Sequence, residues 1–134
     1  MSLQDLEKEW QLLDVRALAV SDELELKQYR LEQLEQQLYR EQSAVITYGD
    51  TYKYLKTQSK VVILSEYRLV KHKFQLALDT AAMLQIEIVS LKDIIAEIEL
   101  HLADVKKALL SVQNKLDSYS NVIHFEQRTN QVPG

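Results

Sequence analysis

An apolar or aromatic residue recurs at alternating steps of three and four between Tyr67 and Tyr119, and none of the sixteen positions in this series is polar. This spacing is the a/d pattern of the heptad repeat, which places one face of a helix against a neighbouring helix and winds the pair left-handedly. The series therefore predicts a long helix that packs against another helix. Its members are Tyr67, Val70, Phe74, Ala77, Ala81, Leu84, Ile88, Leu91, Ile95, Ile98, Leu102, Val105, Leu109, Val112, Leu116 and Tyr119.

The same segment carries a second apolar series with the same spacing, interrupted only by Asp93 and Lys107. At about 100° per residue, the two series lie about 150° apart around the helix and face nearly opposite directions. Because one neighbouring helix covers only one face, the second series predicts a bundle of more than two helices, formed partly between chains. The apolar members of the second series are Ala82, Ile86, Val89, Ala96, Leu100, Ala103 and Leu110.

The composition favours helices over most of the chain and excludes several kinds of chemical site. The 134 residues, of which 46% are hydrophobic, are enough for one domain. The chain has two glycines and one proline, and no residue between Asp50 and Val132 prevents helix formation on backbone grounds. Because cysteine is absent, disulfides, thiolate zinc sites and cysteine nucleophiles are excluded.

The N-terminal part predicts a first helix over about residues 3–43. Ser2 followed by Asp5 matches a capping box, and the three-four step from Leu3 to Leu38 contains one polar residue, Lys27. A lysine in a helix seam either costs stability and limits how helices pair, or extends its charged end into solvent. Near the N-terminus the helix is apolar on more than one side, so the second, partner-facing seam is extended to include Trp10, Leu12 and Val15.

The central connection is predicted over about residues 44–52, or as far as 64, with two structured interpretations left open beside an irregular loop. In the first, Gly49 ends helix 1 and Asp50 caps helix 2, which then begins near residue 53. In the second, β-branched and aromatic residues flanking Gly49-Asp50 form a β-hairpin over 45–54, and helix 2 begins near residue 65. The run 61–64 fits either a strand or the first turn of helix 2.

Turn-prone Ser118, Ser120 and Asn121 predict that helix 2 ends near Tyr119. The sequence is therefore divided into one coiled-coil helical-hairpin domain over 1–121 and a C-terminal tail over 122–134.

Charge is distributed unevenly along the chain. Residues 1–50 carry a net charge of −6, residues 51–73 carry +5 and residues 74–134 carry −3. The basic middle contains interleaved tyrosines, which predicts either a tip that contacts nucleic acid or an acidic partner, or a solvated face beside tyrosines that close the end of the bundle. The residues of this tip are Lys53, Lys56, Lys60, Arg68, Lys71, Lys73, Tyr52 and Tyr54.

Residue patterns typical of enzymes are missing from the sequence. Glu97 and His101 lie four residues apart, but no second pair at metal-ligand spacing accompanies them. There is no glycine-rich phosphate loop and no nucleophile elbow. We therefore expect a protein without enzymatic activity, cofactor or metal.

The sequence as a whole predicts an all-α fold, in which a long antiparallel helical hairpin or coiled coil assembles into a multi-helix bundle. The expected function is that of a structural, assembly or adaptor protein that oligomerises with itself or binds a partner helix, for example within a phage particle. The alternatives are a binding module that uses the basic tip, and a prefoldin-like small chaperone that requires the β-hairpin. With no signal peptide and no apolar run of roughly 20 residues, we expect a cytoplasmic or otherwise soluble location, without secretion or membrane insertion.

Overall fold

The computed structural model describes residues 2–58 and 64–131, with side chains up to Asn121. This part of the chain forms two helices, α1 over Leu3–Thr57 and α2 over Leu64–Gln131, and contains no strand. The helices pack against each other as a helical hairpin. The predicted all-α class is confirmed.

Ser2 is the N-cap of α1, as its sequence context predicted. Its hydroxyl oxygen accepts a hydrogen bond of 3.1 Å from the backbone N–H of Asp5. That bond satisfies one of the backbone donors that a helix start leaves without a partner inside the helix.

α1 extends to Thr57 instead of ending near residue 43, and this extension corrects both interpretations of the connection. Residues 45–54 are helical, so no β-hairpin forms there, and no glycine among the described residues has a positive φ. The hydroxyls of Ser43, Thr47 and Thr51 donate to backbone carbonyls four residues earlier, at 3.0–3.1 Å. These bonds satisfy the hydroxyl groups within the helix, although serine and β-branched residues intrinsically prefer other conformations.

Gly49 lies inside α1 because an aromatic ring of α2 packs against it. The residue is buried, and a Cβ at this position would lie 3.0 Å from Cε2 of Phe74. A glycine in a helix interior costs roughly 1 kcal/mol relative to alanine, and the close approach of Phe74 compensates for part of that cost. The three-four step of α1 in fact continues through this segment, and its positions there are half-buried: Glu41, Val45, Tyr48, Tyr52 and Leu55.

α2 begins at Leu64, close to the later of its two predicted starts, and extends to Gln131, twelve residues beyond the predicted end. Ser118 does not end the helix, since its hydroxyl donates to the carbonyl of Asn114 at 3.0 Å. The chain has no glycine or proline between Gly49 and Pro133, and the residue before a proline disfavours helical geometry. The tail predicted from residue 122 is therefore helical as far as Gln131, while 61–63 and 132–134 lie outside the described residues.

Packing divides the hairpin into two compact units. Unit 2 comprises Lys27–Ile95, and unit 1 contains the described residues up to Leu26 together with those from Ala96 onward. The two helices run antiparallel in unit 2, because Arg30 pairs with Glu87 while Tyr52 contacts Tyr67. Seven apolar side chains are buried in unit 2: Leu34, Ala77, Ala81, Leu84, Ile88, Leu91 and Ile95.

Unit 1 has the same antiparallel arrangement and a smaller buried set. Leu6, which is 2% exposed, lines a groove of about 360 Å³ with Lys115, Ser118 and Tyr119 of α2. The first turns of α1 are therefore packed against the later part of α2 within this unit. Its buried side chains are Leu6, Val20, Leu102, Val105 and Val112.

Lys27 is half-buried, and no polar or charged side chain among the described residues is buried. Because Lys27 lies on the three-four series of α1, part of its aliphatic stem is covered while its ammonium group stays accessible to solvent.

Candidate interaction surfaces

The inner face of α2, defined as the sixteen positions from Tyr67 to Tyr119, contains every buried residue of that helix for which side chains are described. Nine positions are buried, six are half-buried, and Tyr119 is 39% exposed. The half-buried members include Tyr67 and Phe74 near the connection and Ile98, Leu109 and Leu116 further along the helix. Burial of this face against α1 is the main apolar contact of each unit.

The outer face of α2, defined as Ala82, Ile86, Val89, Ala96, Leu100, Ala103 and Leu110, is exposed at every position. In unit 2 the exposed fractions are 72% for Ile86 and 61% for Val89. In unit 1 they are 69% for Leu100 and 61% for Leu110. Single exposed apolar residues are ordinary, whereas several at helical spacing on one face form a candidate interaction surface.

Two apolar faces give α2 an unusual composition for an exposed helix. Among the described residues, α2 is the one helix that is long and apolar enough to cross a membrane by length and composition, and 17% of its most apolar stretch is buried. The expectation that no apolar segment is long enough to span a membrane applies to uninterrupted runs of apolar residues. The two series together raise the mean hydropathy of α2 although polar residues separate their members.

The three residues of α1 assigned to the partner-facing seam do not share one environment. Leu12 is 73% exposed and Val15 is 65% exposed, whereas Trp10 is half-buried on the series of α1 that faces α2. Trp10 therefore belongs to the packing within unit 1. Leu12 and Val15 remain on the surface.

The basic end of unit 2, defined as Lys53, Lys56, Arg68, Lys71 and Lys73, brings together the last turns of α1 and the first turns of α2. All five side chains are exposed, and Tyr54 beside them is 62% exposed. Lys60 lies outside the described residues.

Three aromatic rings are stacked beneath the basic end. The ring centroid of Tyr52 lies 5.5 Å from that of Tyr67 and 5.8 Å from that of Phe74, with interplanar angles of 28° and 17°. The hydroxyl of Tyr67 donates to the hydroxyl of Tyr52 at 3.2 Å. Tyr52 and Tyr67 are half-buried, so the stack closes the interhelical contact at this end of unit 2.

The hydrogen bond between the two hydroxyls lowers the pKa of one tyrosine and raises the pKa of the other. Donation by Tyr67 lowers the pKa of Tyr52 from its ordinary value of 10.0, and the positive charges of Lys56 and Lys71 lower it further while burial opposes them. The pKa of Tyr67 is raised, first by the same hydrogen bond and then by burial and the charge of Tyr52. One lysine from each helix therefore lowers the pKa of the same phenol.

Sequence reasoning offered two roles for Tyr52, on a ligand-contacting tip or among tyrosines that close the end of the bundle, and did not find its partners. Tyr48, Gly49 and Phe74 were missed as a group, because they lie on different helices and share no local motif. Lys73 lies over the ring of Tyr48, with Nζ 6.0 Å from its centroid, so this lysine is oriented by an aromatic face. The continuing three-four step of α1 is the signal that places Tyr48 and Tyr52 towards α2.

The described residues contain little that resembles a catalytic site. No group of three His, Cys, Asp or Glu side chains in them is arranged to hold a metal ion. Glu97 and His101 are both exposed. A shallow depression of about 410 Å³ is lined by α2 alone, between Lys107 and Ser118, and its lining contains no carboxylate. Comparisons with protein-family models, with curated proteins and with solved structures give no match.

Proposed function

We propose that this chain is a non-enzymatic structural or assembly protein, whose hairpins associate with copies of themselves through the outer face of α2 to form a coiled-coil bundle of more than two helices. The observation that carries the proposal is the contrast between two isoleucines of one helix. Ile88 is 6% exposed against α1, while Ile86 is 72% exposed on the opposite side. If α1 were the only helix packed against α2, the second apolar series would have no structural role.

The energetics favour covering this face. Full burial of an isoleucine, leucine or valine side chain is worth about 1.5–3 kcal/mol. The outer face contains four such side chains, and its three alanines leave space for a second helix to approach closely. Association also has an entropic cost, which several apolar contacts are needed to exceed.

The solvent-exposed area of the single chain also favours association. The chain exposes 10490 Å². A globular monomer of this mass exposes about 7,000 Å². A specific protein interface buries about 1,200–2,000 Å² in total. The excess is therefore large enough to supply an interface of ordinary size.

The test is the solution mass, measured by size-exclusion chromatography with light scattering over a hundredfold dilution in 500 mM NaCl. High salt leaves apolar association in place and screens contacts between exposed charges. We expect the parent chain to have a mass that is a multiple of 15.6 kDa, and the Ile86→Asp, Val89→Asp variant to have a lower one.

A matched control carries two carboxylates elsewhere on α2. Met83 is 70% exposed and Ser90 is exposed, and the pair lies about 80° around the helix from Ile86 and Val89 on average. The Met83→Asp, Ser90→Asp variant should therefore retain the mass of the parent. A parent that is monomeric at every concentration would contradict self-association and leave a partner helix as the occupant of the face.

The chaperone alternative loses its basis, because the β-hairpin that it requires over 45–54 is replaced by α1.

A further inference from the structure

The basic end of unit 2 is a concentrated cationic surface. Within residues 51–58 and 64–73, five exposed cations accompany one carboxylate, that of Glu66. Lys56 of α1 and Lys71 of α2 both act on the hydroxyl of Tyr52, so the charges of the two helices converge there. Exposed apolar surface lies beside them, since Tyr54 is 62% exposed and Leu69 is 53% exposed. This combination suits an acidic, partly apolar partner.

The first part of α1 offers a surface of that kind within unit 1. Residues 3–26 contain seven Asp or Glu and two Lys or Arg. We define the acidic face of α1 as six of the exposed residues that lie within an arc of about 140° at 100° per residue, an arc that also contains the exposed Lys8. Its apolar members are 73%, 65% and 61% exposed in chain order. The six residues are Glu7, Leu12, Val15, Leu18, Asp22 and Glu25.

We propose that the basic end of one copy binds the acidic face of α1 of a second copy. This contact goes beyond the proposed function, because it uses neither the inner nor the outer face of α2. Two different surfaces meet, so each pair of copies keeps one unused basic end and one unused acidic face, and the contact repeats from copy to copy. Opposite charges guide the encounter, and the exposed apolar side chains on both surfaces add burial.

A second copy fits this surface better than a nucleic acid does. Single-stranded nucleic acid is held by cations together with aromatic rings that are free to stack on bases. Here Tyr54 offers an exposed ring, but the rings of Tyr52 and Tyr67 stack on each other, and Tyr52 also stacks on Phe74. The chain carries a net charge of −4, which opposes a polyanion, whereas the acidic face is present at the same concentration as the basic end.

The experiment uses the full chain with Ile86→Asp and Val89→Asp as background, so that association through the outer face of α2 is removed. One variant adds Lys53→Glu, Lys56→Glu and Lys71→Glu, and the other adds Glu7→Lys, Asp22→Lys and Glu25→Lys. All six positions are exposed, so circular dichroism should show unchanged helicity. Sedimentation velocity in 20 mM and 500 mM NaCl measures association.

We expect the background chain to associate in 20 mM NaCl and to dissociate in 500 mM NaCl. Each charge-reversed variant alone should remain at 15.6 kDa in 20 mM NaCl, because like charges then meet. An equimolar mixture of the two should associate again, since each variant supplies the surface that the other has lost.

Three results would overturn the proposal: a background chain that is monomeric in 20 mM NaCl, a charge-reversed variant that associates on its own, or a mixture that does not associate. A labelled 20-residue oligodeoxythymidylate tests the rival occupant. If it binds the background chain and not the lysine-to-glutamate variant, while no self-association occurs, the basic end is a nucleic-acid site. Failure of the proposed function is separate, because that test is read in 500 mM NaCl on the parent chain.

Discussion

Gly49 of α1 lies so close to Phe74 of α2 that a methyl group on the glycine would come within 3.0 Å of the ring carbon Cε2. The ring cannot easily move away, since Tyr52 stacks on it at a centroid distance of 5.8 Å. A glycine whose sequence context is that of a helix terminator is thus a point of interhelical contact.

Gly49→Ala should therefore destabilise the hairpin by about 1 kcal/mol. Overpacking a well-filled contact typically costs about 1–3 kcal/mol, which exceeds the roughly 1 kcal/mol that alanine gains over glycine in a helix interior. Urea unfolding followed by circular dichroism measures the effect. In a Phe74→Ala background the same substitution should become stabilising, and a destabilisation of equal size there would disprove the contact.

Ile88→Asp should destabilise the fold by several kcal/mol, and Ile86→Asp should leave unfolding of the monomer nearly unchanged. The two residues lie two positions apart, but Ile88 is 6% exposed and Ile86 is 72% exposed. An unpaired carboxylate in an apolar contact carries a large desolvation cost, while one on the surface does not. Thermal unfolding of both variants is measured in a Val89→Asp background, with that background as the reference, because association through the outer face would add to the stability of the parent chain. Equal losses of stability would show that the faces are not distinct.

Tyr67→Phe should raise the pKa of Tyr52 towards 10.0, because the hydrogen-bond donor that stabilises its phenolate is lost. Burial then raises the pKa of Tyr52, while the charges of Lys56 and Lys71 lower it. The converse change, Tyr52→Phe, should lower the pKa of Tyr67 towards 10.0. Spectrophotometric titration of the phenolate band checks both. An unchanged pKa of Tyr52 in the Tyr67→Phe variant would show that the hydroxyls are not bonded.

The same shifts set how the pair affects stability at alkaline pH. Tyr52 has a lowered pKa, so its contribution to stability is present above its unfolded pKa and is lost as the pH falls through its folded pKa. Tyr67 has a raised pKa, so its contribution is complete below its unfolded pKa and is lost as the pH rises through its folded pKa. The two contributions oppose each other near pH 10. Each phenylalanine variant removes the hydrogen bond that shifts the pKa of the remaining tyrosine, so its unfolding free energy should depend less on pH in this range than that of the parent.

Ser2→Ala should loosen the start of α1 by about 1 kcal/mol, as expected for the loss of an N-cap. Ser43→Ala is the matched control, because its hydroxyl bonds to the carbonyl of Tyr39 within the helix and alanine is a better helix former. Amide hydrogen exchange over residues 3–6 should accelerate in the first variant and not in the second. Acceleration in neither variant would remove the capping role of Ser2.

The sequence allowed the packing of α2 to be predicted better than the ends of either helix. A three-four series marks one face wherever the helix forms, and the burial of Ile88 and exposure of Ile86 follow from that geometry alone. Local preferences at Gly49 and the surrounding β-branched residues predict an earlier end for α1 than the one observed, because packing of the three-four series, which continues to Leu55, outweighs them. The contact between Gly49 and Phe74 depends on which residues lie opposite each other, and no local pattern encodes that pairing.

The contact of Phe74 with a bare backbone also limits slippage between the helices. A heptad series repeats, so a shift of α2 by seven residues along α1 leaves one apolar stripe against another and has a low intrinsic penalty. Such a shift places Phe74 opposite Gln42 or Lys56, where a long side chain fills the space that the ring needs. Since Gly49 is the sole glycine before the last residue of the chain, one alignment alone accepts the ring. Gly49 thereby fixes the register of a pair of helices whose remaining contacts are nearly interchangeable.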